Sequence, residues 1–287
     1  MSIWLSTIDL QEHAIDRQLE SFIANNYPGE VTPAAPGTSR PLFVHFKFSR
    51  CVKDEVTRSR RNPDQIDIAL TILRDFLKTT PTAKAADILI ITPYAAMIDA
   101  IASARKRPRF AALQTMRPAS TIYSIQGQEG DMVAVITGTT KAVGPGFTAD
   151  DRRLNVMMSR HKSALVVFGD LHVAGHLEKT NPVAKGSKPP KAKEIAAVRV
   201  QNPEGEVTFI RPKCLKKINQ ILLDLGRVLT IESAWKKKVK EARKAKKDEE
   251  VEEVEEVEEV EEVEEVEEVE EVEEVEEAEE PKGATVL

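Results

Sequence analysis

The side chains with most chemistry to offer lie in residues 121–169, TIYSIQGQEGDMVAVITGTTKAVGPGFTADDRRLNVMMSRHKSALVVFG. A Gln126-Gly127-x-Glu129-x-x-Asp131 turn is followed downstream by Arg152-Arg153-Leu154-Asn155-Val156, and that run leads to Ser159-Arg160. Apolar stretches flank both. A turn that offers carboxylates and open backbone beside a run of guanidinium groups reads as the edge of a nucleotide site. Taken singly, each group also has a plainer role. Asp131 suits a polar turn leading into a strand, and Arg160 suits a helix C-terminus, where a cation complements the dipole. Arg153 reads as an organiser able to fork onto Asp131 or Asp151, and Asn155 as a buried amide in need of partners.

Other reaction classes find little support. His172 and His176 are four apart, but Gly175 lies between them and no Glu follows the first, so they do not form a metalloprotease pair. Gly144-Pro145-Gly146 is a turn. Cys51 and Cys214 have no Cys or His neighbours at zinc spacing and cannot build a disulfide framework, so no metal site is expected and a reducing compartment is. No Ser/His/Asp or Cys/His set is visible.

The 121–169 stretch resembles motifs V and VI of superfamily 1 helicases, in the branch of the nonsense-mediated-decay RNA helicase and the Okazaki-fragment helicase-nuclease. That branch carries S-x-Q-G-x-E-x-D, then G-x-G-F, then D-x-R-R-L-N-V-A-x-T-R-A. The counterparts here are Ser124, Gln126, Gly127, Glu129 and Asp131, then Gly144, Gly146 and Phe147, then Asp151 through Ser159 and Arg160. Residues 88–97, ILIITPYAAM, are similar to motif IV, and 58–77 to the helix that precedes it. The resemblance covers roughly residues 10 to 175. It implies ATP and Mg2+ as cofactors, used together with a first RecA-like domain. It implies Gln126, Gly127, Glu129 and Arg153 as nucleotide-binding, with Glu129 on the ribose and Gly127 permitting close backbone approach. Arg160 would be the catalytic arginine finger that stabilises phosphoryl charge. Thr92, Pro93 and Tyr94 from motif IV, with Thr121 and Ser124 from motif V, would contact single-stranded RNA or DNA without reading its sequence.

A phosphate loop requires G-x-x-x-x-G-K-[ST], so that backbone amides, a Lys and a metal-bound hydroxyl converge on the triphosphate. No such run occurs here, and neither do the family's acidic magnesium box and Tyr-Arg signature. The expectation is therefore the C-terminal half of an ATP-dependent helicase, active only with a separate N-terminal half. The alternative is a non-catalytic nucleic-acid-binding or acidic-tail interaction protein derived from one. Met97 stands where the family has Gln, Ile122-Tyr123 where it has Val-Asp, and Met157-Met158-Ser159-Arg160-His161 where it has Ala-Leu-Thr-Arg-Ala.

The elements that must position these residues alternate in type. Helices are expected over 8–25, from an Asn62 cap with Pro63 at its first position, over 94–105, and from Asp150 or Asp151 to about Ser159. Strands are expected over 42–46, 88–92, 120–123 and 132–137, and in SALVVFG. Val- and Ile-rich strands alternating with helices give an α/β fold, a RecA-like, mostly parallel sheet covered on both faces. Ligand-bearing loops such as Tyr123–Asp131 are expected beyond the carboxyl ends of its strands. This domain spans 1–178. A Pro- and Lys-rich linker follows at 179–197, then a small basic appendage at 198–247 with a hairpin and a helix around Ile218, Leu222 and Leu225. An acidic tail fills 248–287.

The formal charge of −6 conceals two opposed blocks. Before residue 248 about 24 acidic side chains face about 40 Lys and Arg, a body near +16 that favours a polyanionic partner. In the Val-Glu-Glu tail, three-residue spacing makes the valines wind around a helix instead of forming a coiled-coil seam, and Glu repulsion favours an extended or fluctuating helix. Basic proteins are expected partners of that tail, which can also fold back on 234–247 as a nucleic-acid mimic. The N-terminus lacks the basic and apolar regions of a secretory signal, and no apolar run reaches membrane-spanning length. The expected location is intracellular, nuclear or cytoplasmic, away from membranes.

Overall fold

The computed structural model describes residues 14–35, 40–53, 59–125, 127–180, 197–201 and 207–231. The chain forms α1 (Ala14–Asn26), β1 (Leu42–Phe46), a small antiparallel pair of β2 (Val52–Lys53) and β3 (Arg60–Arg61), and α2 (Pro63–Thr79). Then come β4 (Ile88–Thr92), α3 (Ala95–Arg105), β5 (Ser120–Thr121), β6 (Gly130–Ile136), α4 (Asp151–Met158) and β7 (His161–Gly169). A hairpin of β8 (Val198–Gln201) and β9 (Val207–Ile210), α5 (Lys213–Asp224) and β10 (Val228–Ile231) complete it.

Six strands form one parallel sheet in the order β10-β1-β7-β6-β4-β5. Successive side chains of a strand point to opposite faces, and the buried residues sort that way. Leu42, Val44, Ile88, Ile90, Ala134, Val166 and Phe168 pack with α1, α2 and α3. Phe43, Leu89, Ile91, Val133, Val135, Leu165 and Val167 pack with α4 and α5. The α/β, RecA-like fold with helices on both faces is thus present.

The chain leaves β4 for β5 on one side and leaves β6 for β7 on the other, so the loops after β4 and β6 diverge. Between them lies the crevice where open parallel sheets place ligands. Here that crevice is largely filled. Asn62 caps α2 by accepting the Gln65 amide at 3.0 Å, which aims the buried Gln65 side chain into it. The Gln65 amide nitrogen donates to the Thr139 carbonyl (2.9 Å) and Ser49 Oγ (3.1 Å), while its oxygen accepts the Gly138 amide (2.9 Å).

Within the expected appendage, α5 buries Leu215, Ile218 and Leu222 on the sheet's second face, while Leu225 lies beyond the helix and exposed. Val228–Ile231 pairs in parallel with β1, an edge strand that hydrophobic patterning did not single out. Arg227, just before it and 1% exposed, ties four segments together. It pairs with Glu20 of α1 and donates to the carbonyls of Thr32 (2.8 Å), Arg40 (3.0 Å) and Pro41 (3.5 Å). The start of the 8–25 helix, most of the 179–197 linker, the basic 234–247 segment and the 248–287 tail lie outside the described residues. Among the described residues, no helix is long and apolar enough to cross a membrane.

Candidate nucleotide and nucleic-acid site

The residues of the 121–131 and 151–160 segments divide between the two edges of the sheet, which corrects the expectation that the whole 123–131 turn lies beyond strand carboxyl ends. Thr121 ends β5 beside Thr92 at the carboxyl edge, whereas Gly130 opens β6 at the amino edge. Residues 122–125 and 127–129 lie between the two edges. Ile122 and Ile125, both buried against Leu154 and Met157 of α4, pin the first of these stretches to the core.

At the amino edge the end of the turn meets the end of α4. The Gly130 amide donates to the Arg160 carbonyl at 3.1 Å, and an Arg117 guanidinium donates to the Glu129 carbonyl at 3.1 Å. Asp131 pairs with Lys162 (3.2 Å), not with Arg153. The Glu129 side chain is exposed. Arg160 follows the last turn of α4 and is half-buried; its Nη2 donates to Ser159 Oγ at 3.2 Å, and its Nε is buried without a partner. Among the described residues, Arg160 has no carboxylate at ion-pair distance. Gly127 has φ +77°, a conformation that disfavours any side chain, and nothing lies within 4 Å of where a Cβ would stand. The turn is therefore open to approach from outside. Gln126 lies outside the described residues.

The carboxyl edge is built differently from the expectation. Thr92 (0% exposed), Pro93 and Tyr94 (3% exposed) are interior and present no surface for a strand to lie on. The Tyr94 hydroxyl accepts from the Phe147 amide (3.3 Å) and Arg60 Nη1 (3.4 Å), and its ring lies 5.3 Å from that of Phe147. Burial pushes the Tyr94 hydroxyl pKa up, with Arg60 opposing. Gly146, at φ +55°, makes this fit possible, because a Cβ there would collide with the Tyr94 hydroxyl and Arg60.

Arg153 does not fork onto Asp131 or Asp151. Its guanidinium sits 4.6 Å from the Phe147 ring centre and 5.6 Å from that of Tyr123, within cation–π range of each. At the start of the same helix, Asp150 caps α4 by accepting the Arg152 and Arg153 backbone amides, each at 3.0 Å. Asn155 is exposed, not buried. Thr121 and Ser124 lock each other, the Thr121 amide donating to Ser124 Oγ (2.9 Å) and the Ser124 amide to Thr121 Oγ1 (3.2 Å). Ser124 and Tyr123 face solvent.

Gln65, Arg60 and Tyr123 join the site without having been singled out for it. Gln65 was visible only as a helix-capping amide. Tyr123 was visible as the residue replacing the family's Asp. Met97, which replaces a Gln, is fully buried, and its sulfur accepts the Asn62 amide at 3.2 Å. Among the described residues there is no group of three or more His, Cys, Asp or Glu side chains placed to hold a metal ion.

Residues 10–172 match a protein family described as AAA domain. Over 118 residues the chain is 27% identical to "Helicase sen1" of Schizosaccharomyces pombe, a match covering 40% of this chain and 7% of that protein.

Proposed function

The chain belongs to the AAA domain family through residues 10–172, and we propose that it is the second RecA-like domain of an ATP-dependent superfamily 1 nucleic-acid helicase. The parallel sheet and both sequence matches support a helicase-type domain. The observation that carries the proposal furthest is the amino-edge junction. There the Gly130–Arg160 hydrogen bond brings the Glu129 turn and the motif VI arginine to neighbouring strand ends.

The groups at that junction suit the phosphate and ribose side of a nucleotide. Arg160 has a buried guanidinium nitrogen without a partner and no ion pair among the described residues, so its charge is free to meet an anion. The exposed Glu129 carboxylate can accept hydrogen bonds from sugar hydroxyls, and Gly127 leaves the turn open. When bound, ATP with Mg2+ supplies the phosphoryl group whose cleavage drives translocation, and a partner RecA-like domain supplies the phosphate loop and the metal-holding acid. Arg160 then holds positive charge where negative charge develops, an effect strongest in a site from which water is excluded. Arg153, turned toward Phe147 and Tyr123, belongs with the nucleic-acid edge and not with the nucleotide.

A second function, non-catalytic nucleic-acid binding, is favoured by one observation. Met97 is built into the core where the family pattern has a Gln. Both functions require affinity for single strands. The test is fluorescence anisotropy of the full chain with a labelled oligonucleotide at several salt concentrations. Binding that weakens with salt, with log K falling by roughly 0.7 per phosphate neutralised for each tenfold rise in salt, is expected. Absence of binding at low salt contradicts both.

A further inference from the structure

We infer that Tyr123 is a stacking platform for an unpaired base of single-stranded nucleic acid; this rests on the nucleic-acid part of the function proposed above and names the group that meets the base. Five side chains stand in a row that ends on Tyr123. Arg60 lies 5.7 Å from the Tyr94 ring centre, Tyr94 5.3 Å from Phe147, and Arg153 4.6 Å from Phe147 and 5.6 Å from Tyr123. The inner end of the row is fixed by burial and by hydrogen bonds to the Tyr94 hydroxyl. Its outer end, the Tyr123 ring, is 57% exposed.

An aromatic ring this open gains little from the hydrophobic effect, so its contribution to the fold is small. Its backbone is nevertheless held firmly. Ile122 and Ile125 are buried on either side, and the Thr121–Ser124 hydrogen bonds close the turn around it. An exposed ring on a fixed turn, backed by a guanidinium, can take the face of a base with little loss of side-chain freedom. Only an unpaired base presents a free face, because bases in a duplex already stack on each other. A body near +16 attracts the polyanion. Stacking reads no sequence, so binding here is sequence-tolerant.

The test uses the full chain with labelled oligo(dU) and oligo(U) of equal length, each intact or with abasic sites at alternate positions. Tyr123→Ala is expected to weaken binding of intact strands about five-fold or more, and Tyr123→Phe to preserve it. The Tyr123→Ala loss is expected to shrink on abasic strands, where no base remains to stack. A loss confined to one of the two intact strands identifies which sugar the platform serves. Wild-type binding that is unchanged by Tyr123→Ala overturns the stacking role and leaves the wider function standing. A loss in Tyr123→Phe equal to that in Tyr123→Ala assigns the contact to the hydroxyl and overturns it. A Tyr123→Ala variant that loses ATP binding alone also overturns it. No wild-type binding to either strand overturns both the platform and the function on which it rests. Because Tyr123 is exposed, an unchanged melting temperature for Tyr123→Ala is expected alongside.

Discussion

The amide of Gly130 donates to the carbonyl of Arg160 at 3.1 Å, joining the first residue of β6 to the residue just before β7. The turn that ends at Glu129 and the segment that ends at Arg160 thus become neighbours at one edge of the sheet. The aromatic row of Tyr94, Phe147 and Tyr123 gathers at the other edge. The helix α4 connects them, with Arg153 near its start and Arg160 just past its end.

Arg227 is the strongest single anchor of the edge strand β10. Replacing it with Met removes its bonds to three backbone carbonyls and leaves Glu20 without its cation. Glu20 keeps some exposure, so the loss comes mainly from the carbonyls left without donors and is expected to destabilise the fold by about 2 kcal/mol or more. Urea unfolding of Arg227→Met checks this, and Glu20→Gln is expected to lose less, since it keeps a hydrogen-bond acceptor.

Gln65 ties α2 to the loop after β6. Gln65→Leu keeps much of the volume but leaves the Gly138 amide without its acceptor and the Thr139 carbonyl without a donor. A loss of about 2 kcal/mol is expected. Amide exchange should accelerate first in residues 137–140.

Three histidines make stability depend on pH. Burial holds the His45, His161 and His172 imidazoles below the usual histidine value; Asp170 partly opposes this at His45 and His172, and the Met158 carbonyl at His161. The unfolded chain binds protons near pH 6.5, where the folded chain still resists them. Stability from these groups is therefore complete above about pH 6.5 and declines as pH falls toward the lowered values. The melting temperature is expected to be flat from pH 7 to 8 and to drop below pH 6.5. His45→Gln should reduce the drop, since His45 Nδ1 accepts the Leu171 amide and protonation ends that bond.

The expectation that the acidic residues from 248 onward compete with nucleic acid for the basic body can be tested by truncation. Removing residues 248–287 is expected to tighten single-strand binding at low salt, with the difference fading as salt screens the charges. Anisotropy titrations of the two chains check this, and equal affinities at low salt dispose of the mimic idea.

Much of the fold was legible because its signals are local. The Asn62-Pro63-Gln65 cap, the Ile-rich 88–92 run and the SALVVFG strand each carry their own pattern. Val228–Ile231 is too short to do so, and its place beside β1 depends on a pairing across most of the chain. The motif residues were legible as types but not as surroundings. Tyr94 looked available to a ligand, yet the missing side chain at Gly146 lets the Phe147 loop close over it. Arg153 looked destined for a carboxylate, yet Asp131 pairs with Lys162 and the guanidinium lies against the rings of Phe147 and Tyr123. Such outcomes follow from which groups arrive together, which spacing along one chain does not reveal.

The central claim, that the Glu129–Arg160 edge takes a nucleotide, is tested most directly by calorimetric titration with ATP and Mg2+ of the full chain mixed with a helicase domain that carries the phosphate loop, beside the same mixture made with Arg160→Gln. ATP binding tighter than that of the phosphate-loop domain alone, with the gain reduced about ten-fold or more in Arg160→Gln and the melting temperature of the chain unchanged, is the predicted result, as for loss of a charge-assisted phosphate contact. A gain of equal size with both chains, or no gain from the wild-type chain, would contradict it.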